Sequence, residues 1–464
     1  MPERRDARET IVARATPPAP SGLAVVRLSG PRAIPIAREL FVAGDGSGPR
    51  ATGLRPRRAT VGLIRDPRGG ETVDQVVAVV FPGPRSYTGE DVVEFTCHGG
   101  ILPARLVVEA CLAAGARPAA AGEFTRRAFL NGRLSLEQAE AVADLIHAES
   151  RLAARGALAQ LRGGLRRELE QATEPLRRLA AELTGSLEFE ELDDVVVPAS
   201  RIAATLAEVD GRLGALLGLG DAGRRLRDGV QVVVAGPPNV GKSSLFNALL
   251  GEQRALVDDI AGTTRDSITA RLVHRDCLLV LHDTAGLRRD GERIERLGMD
   301  RTRHLLAVAD MVLLLCDLTG DVETDPGLLD EVPRGTPLLV VGTKADLLDD
   351  TPPARWRDRP VLATSAVTGA GLDELRDAML AAADEQSLRQ AAELGVVLNE
   401  RHRRRLREAR QELQQLCREV EGGATDEVVA TLLGGILTRL EEISGRAWTE
   451  RLLDDVFSRF CVGK

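Results

Sequence analysis

GPPNVGKSS, residues Gly236–Ser244, directly follows the apolar run VQVVVA and opens a segment with helical spacing. That placement gives the G-x-x-x-x-G-K-S pattern a physical meaning. Its glycines let backbone N–H groups close around phosphates, Lys242 reaches the β- and γ-oxygens, and Ser243 offers a hydroxyl to Mg²⁺. From Val230 to about Ala383, strands and helices alternate outward from this loop. VQVVVAG, ITARLVH, CLLVLHD, MVLLLCD, PLLVVGT and PVLATSA are apolar runs separated by helical or polar stretches. Strands of that kind are buried on both faces, so the segment is expected to form a mainly parallel α/β sheet.

Three further stretches carry chemistry. DTAG (Asp283–Gly286) ends an apolar run, where Asp283 can hold Mg²⁺ through water and the Gly286 N–H can sense a γ-phosphate. GTTRD (Gly262–Asp266) supplies Thr264, a second metal hydroxyl, on a loop that closes only over a triphosphate. TKAD (Thr343–Asp346) ends the next run but one. Asp346 can accept from both the ring N–H and the exocyclic amine of guanine, a pair that adenine lacks, so the base is guanine. Lys344 can lay its stem across the base, and Ser365–Ala366 would put a backbone N–H on the guanine oxygen. Thr343 stands where asparagine is commoner. Leu287 follows DTAG where Ras-like proteins place a water-orienting glutamine, and an aliphatic side chain cannot orient water. Asp290, Glu292 and Glu295 are the candidates to replace it.

Composition sets outer bounds. A chain of 464 residues has room for about three domains. Hydrophobic content of 44% and charged content of 28% exclude disordered and collagen-like classes. No apolar run reaches the ~18 residues of a spanning helix; the nearest, Leu305–Cys316, is interrupted by Asp310. MPERRDARET has no signal-peptide core, and the six cysteines are scattered without a CxxC pair. A cytoplasmic protein with reduced thiols is therefore expected, with no membrane association. The histidines show no metal-ligand spacing. A net charge of −8 argues against polyanion binding by the whole surface, though not against a local basic groove. Of 61 basic residues only Lys242, Lys344 and Lys464 are lysine. A chain so committed to arginine is expected to keep a compact ammonium where a planar fork would not serve.

Residues 1–121 alternate β-rich runs (Leu23–Leu28, Val73–Phe81, Asp91–Cys97) with turns and a helix-like stretch, Leu102–Ala114, which predicts an α+β domain. Residues 122–228 turn helical. Leu158, Leu161, Leu165 and Leu169, then Leu176, Leu179, Leu183 and Leu187, make one apolar stripe that Pro175 is expected to kink or divide. Residues 229–384 are the α/β segment. Residues 385–464 are helical again, with Leu406, Leu413, Leu416 and Val420 on one face and an apolar run at Leu432–Ile443. The economical packing sets residues 121–220 against 385–464, with the α/β domain inserted between them.

TIVARATPP (Thr10–Pro18), YTGEDVVEFTCHGG (Tyr87–Gly100), GEFTRRAFLNGRLSLEQAEAVADLI (Gly122–Ile146), DIAGTTRD, DTAGL and the terminal FCVGK complete the pattern. In this order the chain resembles the MnmE (TrmE) family of tRNA-modifying GTPases from end to end. The resemblance implies a folate-binding-type α+β N-terminal domain, a discontinuous helical domain and an inserted Ras-like G domain. It implies nucleotide contacts at Asn239, Val240, Gly241, Lys242, Ser243, Ser244, Asp258, Asp259, Ile260, Ala261, Gly262, Thr263 and Thr264. It adds Asp283, Thr284, Ala285, Gly286, Thr343, Lys344, Ala345, Asp346, Ser365 and Ala366. Mg²⁺ would fall to Ser243 and Thr264. K⁺ would fall to Asn239, Asp258, Ile260 and Thr263, where it would stand in for an arginine finger, with Glu295 organising water.

The resemblance further implies a homodimer through the N-terminal domains. These would bind 5,10-methylene- or 5-formyl-tetrahydrofolate at Arg27, Glu94, Arg133 and Lys464. Arg133 stands where lysine is usual, and the family's glycine-rich turn reads APSG (Ala19–Gly22) here. With the flavoprotein MnmG, as a heterotetramer, the family installs a carboxymethylaminomethyl or aminomethyl group at carbon 5 of the wobble uridine of certain tRNAs. Cys461 would take part in that chemistry. The competing reading is a ribosome-assembly GTPase switch. Against it stand a single P-loop and no KH, RRM or zinc-knuckle signature; Arg401–Arg407 (RHRRRLR) reads as a solvated helix face.

Overall fold

A computed structural model of the chain describes residues 9–44, 53–188, 197–251, 269–283, 305–320, 332–348, 355–356, 359–446 and 448–464. It forms two compact units. One comprises residues up to Ala143 together with Glu441–Lys464, the other Asp144–Leu440.

The first unit is built on a seven-stranded sheet. Its strands are β1 (Ile11–Arg14), β2 (Leu23–Ser29), β3 (Phe41–Ala43), β4 (Thr60–Arg65), β5 (Thr72–Phe81), β6 (Val92–His98) and β7 (Arg117–Pro118). They lie in the order β3-β4-β5-β6-β2-β1-β7, antiparallel except for the β1–β7 pair. Alternation makes one face apolar: Ala24, Val26 and Leu28 point in from β2, and Val93, Phe95 and Cys97 from β6. Helices Ala33–Leu40 and Ile101–Ala113 add Ile36, Leu40, Val107 and Cys111 to the same core at helical spacing.

Residues 122–143 and 441–464 pack in this unit with the N-terminal residues. The reason is local. Val462 bridges Ala121 antiparallel, Arg126 pairs with Glu450, and Gly445 leaves no room for a Cβ against Leu136 and Phe129.

The second unit holds the other sheet. Its strands are β8 (Val230–Ala235), β9 (Thr269–His274), β10 (Cys277–Asp283), β11 (Met311–Asp317), β12 (Leu338–Thr343), β13 (Arg355–Trp356) and β14 (Arg359–Ala363). The order is β13-β14-β12-β11-β8-β10-β9. β10, β8, β11, β12 and β14 are parallel, while β9 and β13 pair antiparallel at the edges. This is the expected architecture, with edge strands reversed. Helix Glu400–Glu421 packs along Ala199–Asp228, and Arg410 holds Asp210 with two parallel bonds of 2.9 and 3.1 Å. Gly223 lets the segment before helix Glu400–Glu421 pack closely, since a Cβ there would lie 2.2 Å from the Val396 carbonyl oxygen.

Pro175 does not divide its helix. Helix Gly164–Glu188 runs through it. Proline removes the N–H that the Gln171 carbonyl would have received, and Arg212, on the next helix, donates to that oxygen at 2.7 Å instead. The break falls earlier. Helix Arg151–Leu161 ends at Arg162, and Gly163 at φ +84° turns the chain. Leu158 is consequently exposed and leaves the stripe, whereas Leu165, Leu169, Leu176, Leu179 and Leu183 are buried.

Candidate functional site

In the second unit, the described segments after β8, β12 and β14 follow the ends of parallel strands. That is where an open α/β sheet binds ligands. β8 runs into Gly236, and the loop turns through Asn239 at φ +60° and Gly241 at φ +93° before helix Lys242–Leu250 begins. Positive φ at Asn239 and Gly241 aims the loop's N–H groups inward, next to a helix N-terminus that favours anions. Lys242 is buried; its ammonium donates to the Gly236 and Pro237 carbonyls at 3.0 and 2.7 Å, curled within the loop. Ser243 Oγ donates to Asp283 Oδ2 at 3.3 Å. Asp283 is buried at the end of β10, paired in register with Val234 of β8. A hydroxyl and a carboxylate so close form a hard-oxygen pair of the kind Mg²⁺ prefers.

Asp317 and Thr343 end β11 and β12 directly opposite one another. Thr343 Oγ1 donates to the Val240 carbonyl at 2.6 Å and lies 3.2 Å from that of Cys316. Lys344 adopts φ +60° and its ammonium donates to Asp317 Oδ2 at 2.5 Å. Ser365 is fully buried and donates to Asp346 Oδ1 at 2.5 Å. Its oxygen in turn accepts from the N–H groups of Val367 and Thr368 at 3.2 and 3.1 Å. The Ala345 N–H donates to the Thr364 carbonyl at 3.1 Å, so TKAD and ATSA form one assembly. Ala366 follows, half-buried, and Leu347 and Val367 stand exposed beside it.

Asn239, Val240, Gly241, Lys242, Ser243, Ser244, Asp283, Thr343, Lys344, Ala345, Asp346, Ser365 and Ala366 all fall within the described residues, and hydrogen bonds tie Ser243 to Asp283, Thr343 to Val240 and Ser365 to Asp346. Asp258, Asp259, Ile260, Ala261, Gly262, Thr263, Thr264, Thr284, Ala285, Gly286 and Glu295 lie outside the described residues, as do Leu287, Asp290 and Glu292.

In the first unit, Arg27 and Glu94 face each other across β2 and β6 and form an ion pair at 2.8 Å. The Arg27 guanidinium lies 5.3 Å from the Tyr87 ring centre and 5.7 Å from that of Phe124. It also reaches the Gly463 carbonyl at 3.5 Å, which brings the terminal residues to the same place. Gly463, at φ +99°, allows this, because a Cβ there would stand 2.4 Å from the Arg14 carbonyl oxygen. Burial, followed by the positive charge of Arg27, pushes the Lys464 ammonium below its ordinary value, against the opposing pull of Glu94. Arg133 does not join them. It is exposed, with its stem against Gly89, and no hydrogen bond or ion pair links it to the other three among the described residues. Cys461 is exposed and free; its carbonyl accepts from the Gly122 N–H at 3.4 Å. The APSG turn is tied down by Ser21, whose N–H donates to the Gly99 carbonyl at 3.2 Å.

Two residues escape the sequence reading of these sites. Tyr87 is the chain's one tyrosine, and that rarity was the available signal. Asp317 closes MVLLLCD, and nothing in that run marks it.

Residues 10–133 match the GTP-binding protein TrmE N-terminus, and residues 136–461 match the MnmE helical domain. The chain belongs to the MnmE family. Proteins called tRNA modification GTPase MnmE from Symbiobacterium thermophilum and Moorella thermoacetica are 41% and 40% identical to it. Each comparison covers 98% of this chain and 99% of the relative. One from a Synechococcus species (strain RCC307) is 41% identical over 99% of both. Among solved structures, the G domain of the T. maritima FeoB iron transporter matches 33% of this chain and 98% of its own at 28% identity. Its TM-score is 0.26. The two family matches together cover residues of both units. No helix among the described residues is long and apolar enough to cross a membrane.

Proposed function

We propose that this chain is a GTP-hydrolysing enzyme of tRNA modification. With the flavoprotein MnmG, it would add an aminomethyl-type group, carboxymethylaminomethyl or aminomethyl, at carbon 5 of the wobble uridine. The observation that carries the reading is the chain-long identity of about 40% to proteins named for this activity. The P-loop and base-loop geometry is consistent with it. Lys242 offsets phosphate charge as it leaves its loop carbonyls. Ser243 and Thr264 would ligate Mg²⁺, with Asp283 holding it through water, and Thr343–Asp346 with Ser365–Ala366 would select guanine. In place of an arginine finger, K⁺ beside the phosphates would supply positive charge, with Asn239 among its ligands and Asp258, Ile260 and Thr263 the others. Glu295 would orient the attacking water where Leu287 cannot.

The Arg27–Glu94–Lys464 cluster suits a folate. It offers two cations and a carboxylate beside two aromatic rings, complementary to a flat ring bearing donors and acceptors and a carboxylate tail. A tetrahydrofolate bound there would supply the one-carbon unit. Arg27, pinned by Glu94, and Lys464 would orient it, with exposed Cys461 nearby in sequence. Homodimerisation, the MnmG heterotetramer, tRNA as substrate and a cytoplasmic location belong to the same proposal.

Nucleoside analysis of tRNA from cells lacking the protein tests it. Loss of the wobble-uridine modification, restored by wild type but not by Lys242→Ala, supports the reading. Intact modification together with a ribosome-assembly defect would favour a switch without modification chemistry.

A further inference from the structure

We propose that Asp317 is a positioning residue for guanine-nucleotide binding, fixing the Lys344 ammonium so that the lysine stem stands ready as a wall of the base site. The proposal deepens the assignment of Thr343–Asp346 as the base-reading loop and rests on it.

Asp317 ends β11 directly beside Thr343 of β12, so Lys344 leaves its strand next to the carboxylate. One carboxylate oxygen is already engaged. Oδ1 accepts from the Thr319 N–H at 2.9 Å and from the Thr319 hydroxyl at 2.7 Å. These bonds orient the group and leave Oδ2 to the lysine at 2.5 Å. Burial pushes this carboxyl up, but hydrogen bonds from Lys344 and Thr319 outweigh it and hold it below its ordinary value. The carboxylate is therefore charged at neutral pH.

The arrangement also accounts for a lysine in a chain where 58 of 61 basic residues are arginine. An ammonium is a compact point charge that one oxygen satisfies. A guanidinium seeks two parallel bonds, and Asp317 has a single oxygen to give. A lysine held in this way has already lost the freedom that a base would otherwise have to take from it. The side chains are 36% and 28% exposed, so the pair sits at the rim of the site and its effect is modest.

The test is a titration of the full chain with GDP and IDP. Asp317→Asn is the clean variant, because the amide oxygen can still accept from Thr319 while a donor replaces Oδ2. Its affinity for GDP is expected to fall about three- to tenfold. IDP should lose the same factor, since a stem lying on the base face is blind to the 2-amino group. In a Lys344→Met background, Asp317→Asn should cost nothing further. Lys344→Arg should behave like Asp317→Asn. The proposal is overturned by wild-type GDP affinity in Asp317→Asn or Lys344→Arg. It is also overturned if Asp317→Asn costs the same factor in the Lys344→Met background, which would assign the effect to the Thr319 turn. Failure of the underlying assignment shows separately: an Asp346→Asn variant that still prefers GDP to XDP would remove the base-reading loop itself.

Discussion

Thr343 Oγ1 stands 2.6 Å from the Val240 carbonyl oxygen, so a single hydroxyl proton fastens the TKAD loop to the P-loop. The Cys316 carbonyl lies 3.2 Å from the same oxygen, and one proton cannot serve both at once. An amide at this position would bring two donors. The threonine nevertheless preserves the tie.

Thr343→Val keeps the shape and removes the donor, leaving the buried Val240 carbonyl without it. A cost of about 1–3 kcal/mol is expected, read as a lower melting temperature and weaker GDP binding. Thr343→Ser should restore both. Unchanged GDP affinity in the valine variant would show that the two loops bind nucleotide independently.

Asp346→Asn exchanges an acceptor for a donor and should turn the preference from guanine to xanthine. Loss of a charge-assisted bond costs on the order of 1.5–3 kcal/mol, one to two decades in affinity. Competitive binding of GDP and XDP measures the switch.

GTP turnover should be about tenfold or more faster in KCl than in NaCl at matched ionic strength, less than the 10³–10⁵-fold of an arginine finger. Asn239→Ala should abolish that response while nucleotide binding persists. Glu295→Ala should slow turnover even at saturating K⁺. Equal rates in the two salts would promote Arg265, Arg288 or Arg289 as the source of positive charge.

Cys461→Ser should leave GTP turnover near wild type and abolish wobble-uridine modification, because Cys461 lies in the first unit with Arg27 and Lys464. Mass spectrometry of tRNA nucleosides from complemented cells checks this. Normal modification by the serine variant would make the thiol dispensable.

Glu123 predicts an acid response. Burial pushes its carboxyl up, but bonds from Arg117, the Ala120 N–H and Arg127 outweigh burial and hold it below its ordinary value of 4.5. A carboxyl lowered by folding contributes stability above its unfolded value and loses that contribution as pH falls through the folded one. Glu123→Gln should cost on the order of 3 kcal/mol at pH 7. The gap from wild type should begin to close as pH falls below 4.5 and be gone once pH has passed the lowered folded value, where both side chains are neutral. A gap independent of pH would mean that shape, not charge, holds this site.

Much of the second sheet was legible because its strands are continuous apolar runs, and a run such as MVLLLCD admits few other placements. The nucleotide site was legible for a related reason: its loops follow strand ends, so motif and geometry share one landmark. What lay hidden is long-range. Nothing near Pro175 announces that Arg212 will take the freed Gln171 carbonyl. GEFTRR looks like a contact motif, yet Glu123 and Arg127 are buried in an ion network with Arg117 and Glu90. Asp317 was invisible because its partner lies 27 residues away on a neighbouring strand. Arg133, aligned with the family by sequence alone, is exposed.

The Arg410–Asp210 bond joins residues 200 positions apart, across the whole inserted sheet. At ribosomal rates of about 5–20 residues per second, helix Ala199–Asp228 waits roughly 10–40 s for the helix it packs against. Through that interval Leu206, Leu213 and Leu216, all buried in the finished unit, have no partner from residues 400–421. The intervening sheet, whose strands pair with one another, can close meanwhile. Synthesis therefore leaves an apolar helix face standing beside a finished nucleotide fold, and slow translation of residues 229–400 would lengthen its exposure to aggregation.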